Sequence, residues 1–201
     1  MKFFFLVVSI CLSLLVSDFA WAETHPLIDL RGFWVINLAQ SDSFEDKYSK
    51  LEQRRETKFR FGLGGGSGRP AVGPRTGKSS EREQQFNIMQ QILGAKALHI
   101  DGYGDVAVTY DGKITRYLAP NPDGRVFSAS GKELVGDEFG LTLSYWDDAV
   151  LVVETTTPWG VKLVERFRQT NQATSLVVLV SLAPPGRDPI QWSQVYARRQ
   201  N

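Results

Sequence analysis

Residues 139–182 constrain this chain more than any other stretch. Phe139, Leu141, Leu143 and Tyr145 alternate with Gly140, Thr142, Ser144 and Trp146. A period of two puts successive side chains on opposite faces of a strand. Two more apolar runs follow, 149–155 and 161–167, with Asp147-Asp148 at the first turn and Pro158-Trp159-Gly160 at the second. The pattern predicts an antiparallel meander.

Loop length sets which side chains face each other. A two-residue loop at Asp147-Asp148 places Leu141 opposite Glu154. A three-residue loop ending at Ala149 places Tyr145 opposite Leu151 and Leu143 opposite Val153. A slip of one residue turns every side chain to the other face, so the register that gathers apolar residues is the predicted one. With Thr155 facing Val161, Leu151 then meets Glu165, Val153 meets Leu163, and Glu154 meets Lys162. The predicted inner face carries Leu141, Leu143, Tyr145, Leu151, Val153, Leu163 and Phe167, with Glu165 among them. A carboxyl on such a face must find a partner or take up a proton. It serves either as a structural bond to an interior Arg or Tyr, or as a polar anchor in an apolar ligand cavity. The second reading makes Glu165, Tyr145, Phe167, Leu151 and Leu163 the candidate ligand-binding residues.

The rest of the chain reads as more sheet and its covers. Residues 30–37 form a first strand. Gln40-Ser41-Asp42-Ser43 is a helix-start signal, and Phe44, Tyr48 and Leu51 repeat at helical spacing up to about Arg55. A Gly- and Pro-rich basic loop occupies about 58–79. Ser80-Glu81-Arg82-Glu83 has the form of a capping box opening a helix over 81–93, with Gly94 as its stop. Strands follow at 98–101, Val106–Tyr110, Ile114–Leu118 and 125–129, then the meander, 176–182 and Ile190–Arg198. About eight or nine strands at this spacing, with two short helices between the first and second, predict a mainly β, up-and-down antiparallel barrel closed by pairing the last strand with the first.

Lys2, the apolar run 3–16 and Ala20-Trp21-Ala22 form a signal peptide cleaved after Ala22, leaving 23–201 as one exported domain, periplasmic or secreted. The single cysteine, Cys11, goes with the leader, so the mature chain has no disulfide, thiol nucleophile or cysteine metal site. A net charge of +1 gives no argument for nucleic acid. The charge is unevenly spread: from Arg54 to Lys78 there are seven basic residues and one Glu, and from Glu133 to Glu154 six acidic residues and no basic one. The basic stretch 54–78 is a solvated linker or an envelope contact.

Catalytic signatures are absent. His25 and His99 are isolated, with no ligand spacing around them. Gly77-Lys78-Ser79 fails as a P-loop because Val72 stands where the first glycine belongs. No catalytic residue, metal ligand or cofactor is assigned. A hydrolase with dispersed carboxylates, such as Asp105 with Glu165, is the third reading after a binding module for a hydrophobic or amphipathic small molecule and an envelope interaction protein.

Gly32-Phe33-Trp34 opening the first strand resembles the G-x-W of lipocalin-like proteins. That resemblance implies a Trp34 that closes the barrel floor beneath a basic residue of the last strand, Arg198 or equally Arg199. The long insertion after the first strand departs from an ordinary lipocalin. The chain is also similar to exported bacterial proteins of unassigned function. The shared features are Gly32-x-Trp34-x-x-Asn37-x-x-x-Ser41, Trp146 ahead of Leu151-Val152-Val153-Glu154-Thr155, Val164-Glu165-Arg166-Phe167, and Val195-Tyr196. The resemblance implies a lipocalin-like barrel and carries no activity.

Overall fold

The computed structural model describes residues 29–47, 49, 78–127, 131, 133–170 and 173–199, with backbone alone at 78–83. The expected signal peptide, His25, most of the basic loop and, apart from residue 49, the expected continuation of the first helix beyond 47 lie outside the described residues. So do the side chains of the expected capping box.

Ten strands form one sheet: β1 (Gly32–Ile36), β2 (Ala97–Asp101), β3 (Val106–Tyr110), β4 (Ile114–Leu118), β5 (Val135–Asp137), β6 (Gly140–Asp147), β7 (Val150–Thr156), β8 (Lys162–Gln169), β9 (Ser175–Ala183) and β10 (Ile190–Arg198). Their spatial order is β4-β3-β2-β1-β10-β9-β8-β7-β6-β5, with every ladder antiparallel. The expected pairing of last strand with first is present, as Trp34 faces Arg198 and Ile36 faces Tyr196.

That pairing does not close the barrel. The seam falls between β4 and β5, neighbours in sequence that share no ladder. In its described part, 119–127, the connection crosses it instead of making a tight turn. Pro120 and Pro122 flank Asn121 and cannot donate to a ladder. Among the described residues of the connection, Asn121 bridges to β6, giving its N–H to the Ser144 carbonyl at 3.0 Å and accepting from Trp146 N at 3.0 Å. The expected strand at 125–129 is not formed in its described part, 125–127. The unexpected strand is β5, which folds back onto β6 through a turn in which Asp137 Oδ1 accepts from Phe139 N and Gly140 N, both at 2.9 Å.

The ends of the barrel differ. A helical turn at 44–47 and α1 (Lys78–Leu93) cap one end. There Met89, Ile92 and Leu93 join the core, Gln194 donates to the Leu93 carbonyl at 2.8 Å, and Phe44 packs on Trp192 with ring centroids 5.7 Å apart. At the other end Trp34 is fully buried, its indole N–H bonded to the Leu30 carbonyl at 2.9 Å.

The meander register differs from the predicted one. Asp147 pairs with Val150 across a two-residue loop, Asp148-Ala149, so Tyr145 faces Val152 and Leu143 faces Glu154. Asp148 takes a positive φ of 50°, which aspartate tolerates better than most residues. On the next ladder Leu151 faces Phe167, Val153 faces Glu165 and Glu154 faces Val164. Leu141, Leu143 and Tyr145 therefore lie on the outer face of β6, and Thr142 and Ser144 point inward. β6 does carry one apolar face, as expected, but that face points outward and not into the barrel. Outside, Leu143, Tyr145 and Val152 are buried in a small cluster under Leu134, Val150 and Val164. Inside, the hydroxyls of β6 and β7 have a charged partner.

Candidate functional site

That partner is Arg116. It stands on β4 between Ile114 and Leu118 at the same strand parity, so it enters the interior. Its Nη1 donates to Glu165 Oε2 at 3.0 Å. Its Nη2 donates to Thr142 Oγ1 at 2.7 Å and Thr155 Oγ1 at 2.8 Å, and its Nε reaches Asp137 Oδ2 at 3.3 Å. The guanidinium also lies 5.2 Å from the centre of the Phe139 ring. One side chain thus ties β4 to β5, β6, β7 and β8 across the seam that no ladder closes.

Glu165 is 3% exposed and fully engaged. Its second oxygen, Oε1, accepts from the Tyr110 hydroxyl at 3.1 Å. Burial pushes the Glu165 carboxyl above the usual carboxylate range, against the pull of Arg116 and the Tyr110 hydroxyl. Burial, then the adjacent carboxylate, push the Tyr110 phenol well up. Burial alone would lower Arg116, but Tyr110, Glu165 and Asp137 together hold it above its ordinary value. Among the described residues the buried side-chain atoms of this cluster all have hydrogen-bond partners, so it is a satisfied structural network.

Of the five candidate ligand-binding residues, four share the interior: Glu165, Phe167, Leu151 and Leu163, all buried. Val153, Leu176, Val178, Val180, Leu182 and Tyr196 are buried in the same core, and the Arg116 network meets Glu165. Tyr145 is on the other side of the wall. Its hydroxyl donates to Glu154 Oε1 at 2.9 Å, and Arg125 closes on the same carboxylate with two bonds at 3.0 Å. The Arg125 bond, outweighing burial, holds the Glu154 carboxyl below its ordinary value.

At the Trp34 end, the Arg198 guanidinium lies 4.8 Å from the ring centre of Trp34. It also donates to the Arg31 carbonyl at 3.0 Å and the Asp29 carbonyl at 3.3 Å. Gly32, with φ of 132°, brings the backbone beneath that guanidinium. Arg199 makes only a backbone bond there, to the Phe33 carbonyl at 2.8 Å, among the contacts of the described residues. Beside this end a pocket of about 90 Å³ is lined by Leu30, Ile100, Val106 and Trp146, with Asp29, Arg31, Gly102 and Tyr103 at its rim. Preformed ligand pockets usually measure about 300–1,000 Å³.

Sequence reasoning missed Arg116, Tyr110, Thr142, Thr155 and Asp137. Arg116 carried a readable signal, since it shares parity with Ile114 and Leu118. Asp105 and Glu165 are not brought together: Asp105 is exposed in the β2–β3 turn and Glu165 is inside. Among the described residues no group of three His, Cys, Asp or Glu could hold a metal ion, and no helix is long and apolar enough to cross a membrane. Neither protein-family models nor curated proteins give a match to this chain.

Proposed function

We infer that this protein is a non-catalytic interaction module of the cell envelope, a solid barrel that meets its partner with its outer surface. The observation that supports this reading is the engaged interior acid: Glu165, buried on the apolar lining, is already bonded to Arg116 and Tyr110. The leader at 1–22 supports export and cleavage after Ala22 into a periplasm or the medium. The G-x-W start supports a relationship to lipocalin-like proteins. The basic stretch 54–78 is a second contact element in this reading.

Photocrosslinkers placed at Leu179, on the outer wall, and at Leu163, inside, test it in cells. Crosslinks from position 179 and none from 163 are expected. Crosslinks to a small molecule from 163, or none from either, would overturn it. Native mass spectrometry of protein taken from the periplasm is expected to give the bare chain mass.

A second reading is favoured by the pocket at the Trp34 end. An amphipathic small molecule would seat an apolar end against Leu30, Ile100, Val106 and Trp146. An adduct of lipid-like mass, lost in Ile100→Trp, is the outcome that would favour it over the first.

A further inference from the structure

We propose that the outer wall of β8, β9, β10 and β1 rests on an anionic lipid bilayer. This rests on the interaction-module reading and names its partner. No outward-facing position on these four strands carries a carboxylate. Three carry positive charge: Lys162, Arg166 and Arg168, all exposed along β8. Beside them the register sets Leu179 next to Arg166 and Val177 next to Arg168. Farther round, Phe33 and Val35 stand out from β1, 50% and 44% exposed, and Leu179 is 47% exposed. Phe33 is held outward by its stack on His99, ring centroids 4.1 Å apart. Two acids border this wall and both are engaged: Glu154 on β7 by Arg125 and Tyr145, and Asp42 beside β10 by the Ser193 N–H at 2.8 Å and by Lys47 at 3.8 Å.

Shape decides between the two kinds of acidic partner. A peptide is captured by a groove or by an open sheet edge. This wall is convex, and each of its strands is paired on both sides. A bilayer surface needs neither, only basic side chains to meet the headgroups and apolar ones to enter the interface. The charged residues in mid-wall rule out burial in the hydrocarbon, so the barrel lies at headgroup depth.

The test is sedimentation of the full mature chain with vesicles of phosphatidylglycerol and phosphatidylcholine, against vesicles of phosphatidylcholine alone. Binding to the anionic vesicles, weakened by salt, is expected. Lys162→Gln with Arg168→Gln should weaken it roughly 30-fold, about fivefold for each charge near the surface. Phe33→Ser with Leu179→Ser should also weaken it, and far-UV circular dichroism and a melting curve verify the fold of each variant. Absence of binding to anionic vesicles, or unchanged binding in the charge variant, would overturn the proposal. So would binding that disappears on deletion of 62–77 and survives the wall substitutions. Crosslinks in cells from position 179 to a protein, without vesicle binding, would remove the lipid partner and leave the interaction module standing.

Discussion

Replacing Arg116 by methionine takes out the side chain that ties β4 to β5, β6, β7 and β8 across the seam. The variant keeps most of the volume and loses the bonds to Glu165, Thr142, Thr155 and Asp137. Glu165 then keeps only Tyr110 as partner. Removing one member of a buried ion pair typically costs about 3–5 kcal/mol, because the other charge stays behind unpaired. Against a total stability of about 5–15 kcal/mol for a domain, that is a large fraction. The other partners suffer less. Thr142 and Thr155 still share a bond at 3.0 Å, and Asp137 still accepts from Phe139 N and Gly140 N. Removing the acid as well, in Arg116→Met with Glu165→Met, should therefore recover most of the loss and bring stability to within about 1–2 kcal/mol of wild type. Urea unfolding followed by tryptophan fluorescence at neutral pH measures all four corners of the cycle. Hydrogen exchange adds position: in Arg116→Met, β4 and β5 should lose protection before β8 and β9. If the single variant stays within about 1 kcal/mol of wild type, or the double variant is no better than the single, the account of Arg116 as the seam's clamp is wrong.

Three further outcomes are expected. Because the folded Glu165 carboxyl sits above its ordinary value, it binds its proton more tightly than in the unfolded chain, and the stability linked to it is present at low pH and lost as pH rises from the ordinary carboxylate range through the folded value. Glu154 has the opposite sign, with stability present above the ordinary range and lost as pH falls through its lowered value. Urea midpoints taken across pH should therefore show Glu165→Gln gaining on wild type as pH rises and Glu154→Gln gaining as pH falls; parallel curves would contradict both. Trp192 has a buried indole N–H without a partner among the described residues, whereas Trp34 bonds the Leu30 carbonyl. Phenylalanine should consequently cost about 1–3 kcal/mol more at position 34 than at 192, read by thermal melting, and equal costs would refute it. Gly140 has φ of 151°, and an added Cβ would strike the Thr156 carbonyl. Gly140→Ala should lose about 1–3 kcal/mol in denaturant unfolding, and a neutral result would show that the β5–β6 turn relaxes freely.

The alternation of apolar residues was enough to predict a mainly antiparallel β fold, the helix ending at Leu93, and an acid at position 165 on the inner lining. These are local properties. The strand period, the capping and stop residues, and the parity of Glu165 with Leu163 and Phe167 are all present in a few consecutive residues. Only the tertiary structure decided the register of β6, the place of the seam, and the partners of Glu165. Register depended on which face of β6 was covered, and residues far along the chain covered both: Leu134 and Val164 outside, Arg116 inside. The seam fell between β4 and β5, where the prolines flanking Asn121 cannot donate to a ladder, and the Arg116 side chain spans the gap instead. Whether Glu165 serves a ligand or the fold depended on Arg116 and Tyr110, whose approach follows from the curl of the whole sheet and leaves no trace in the spacing of residues around position 165.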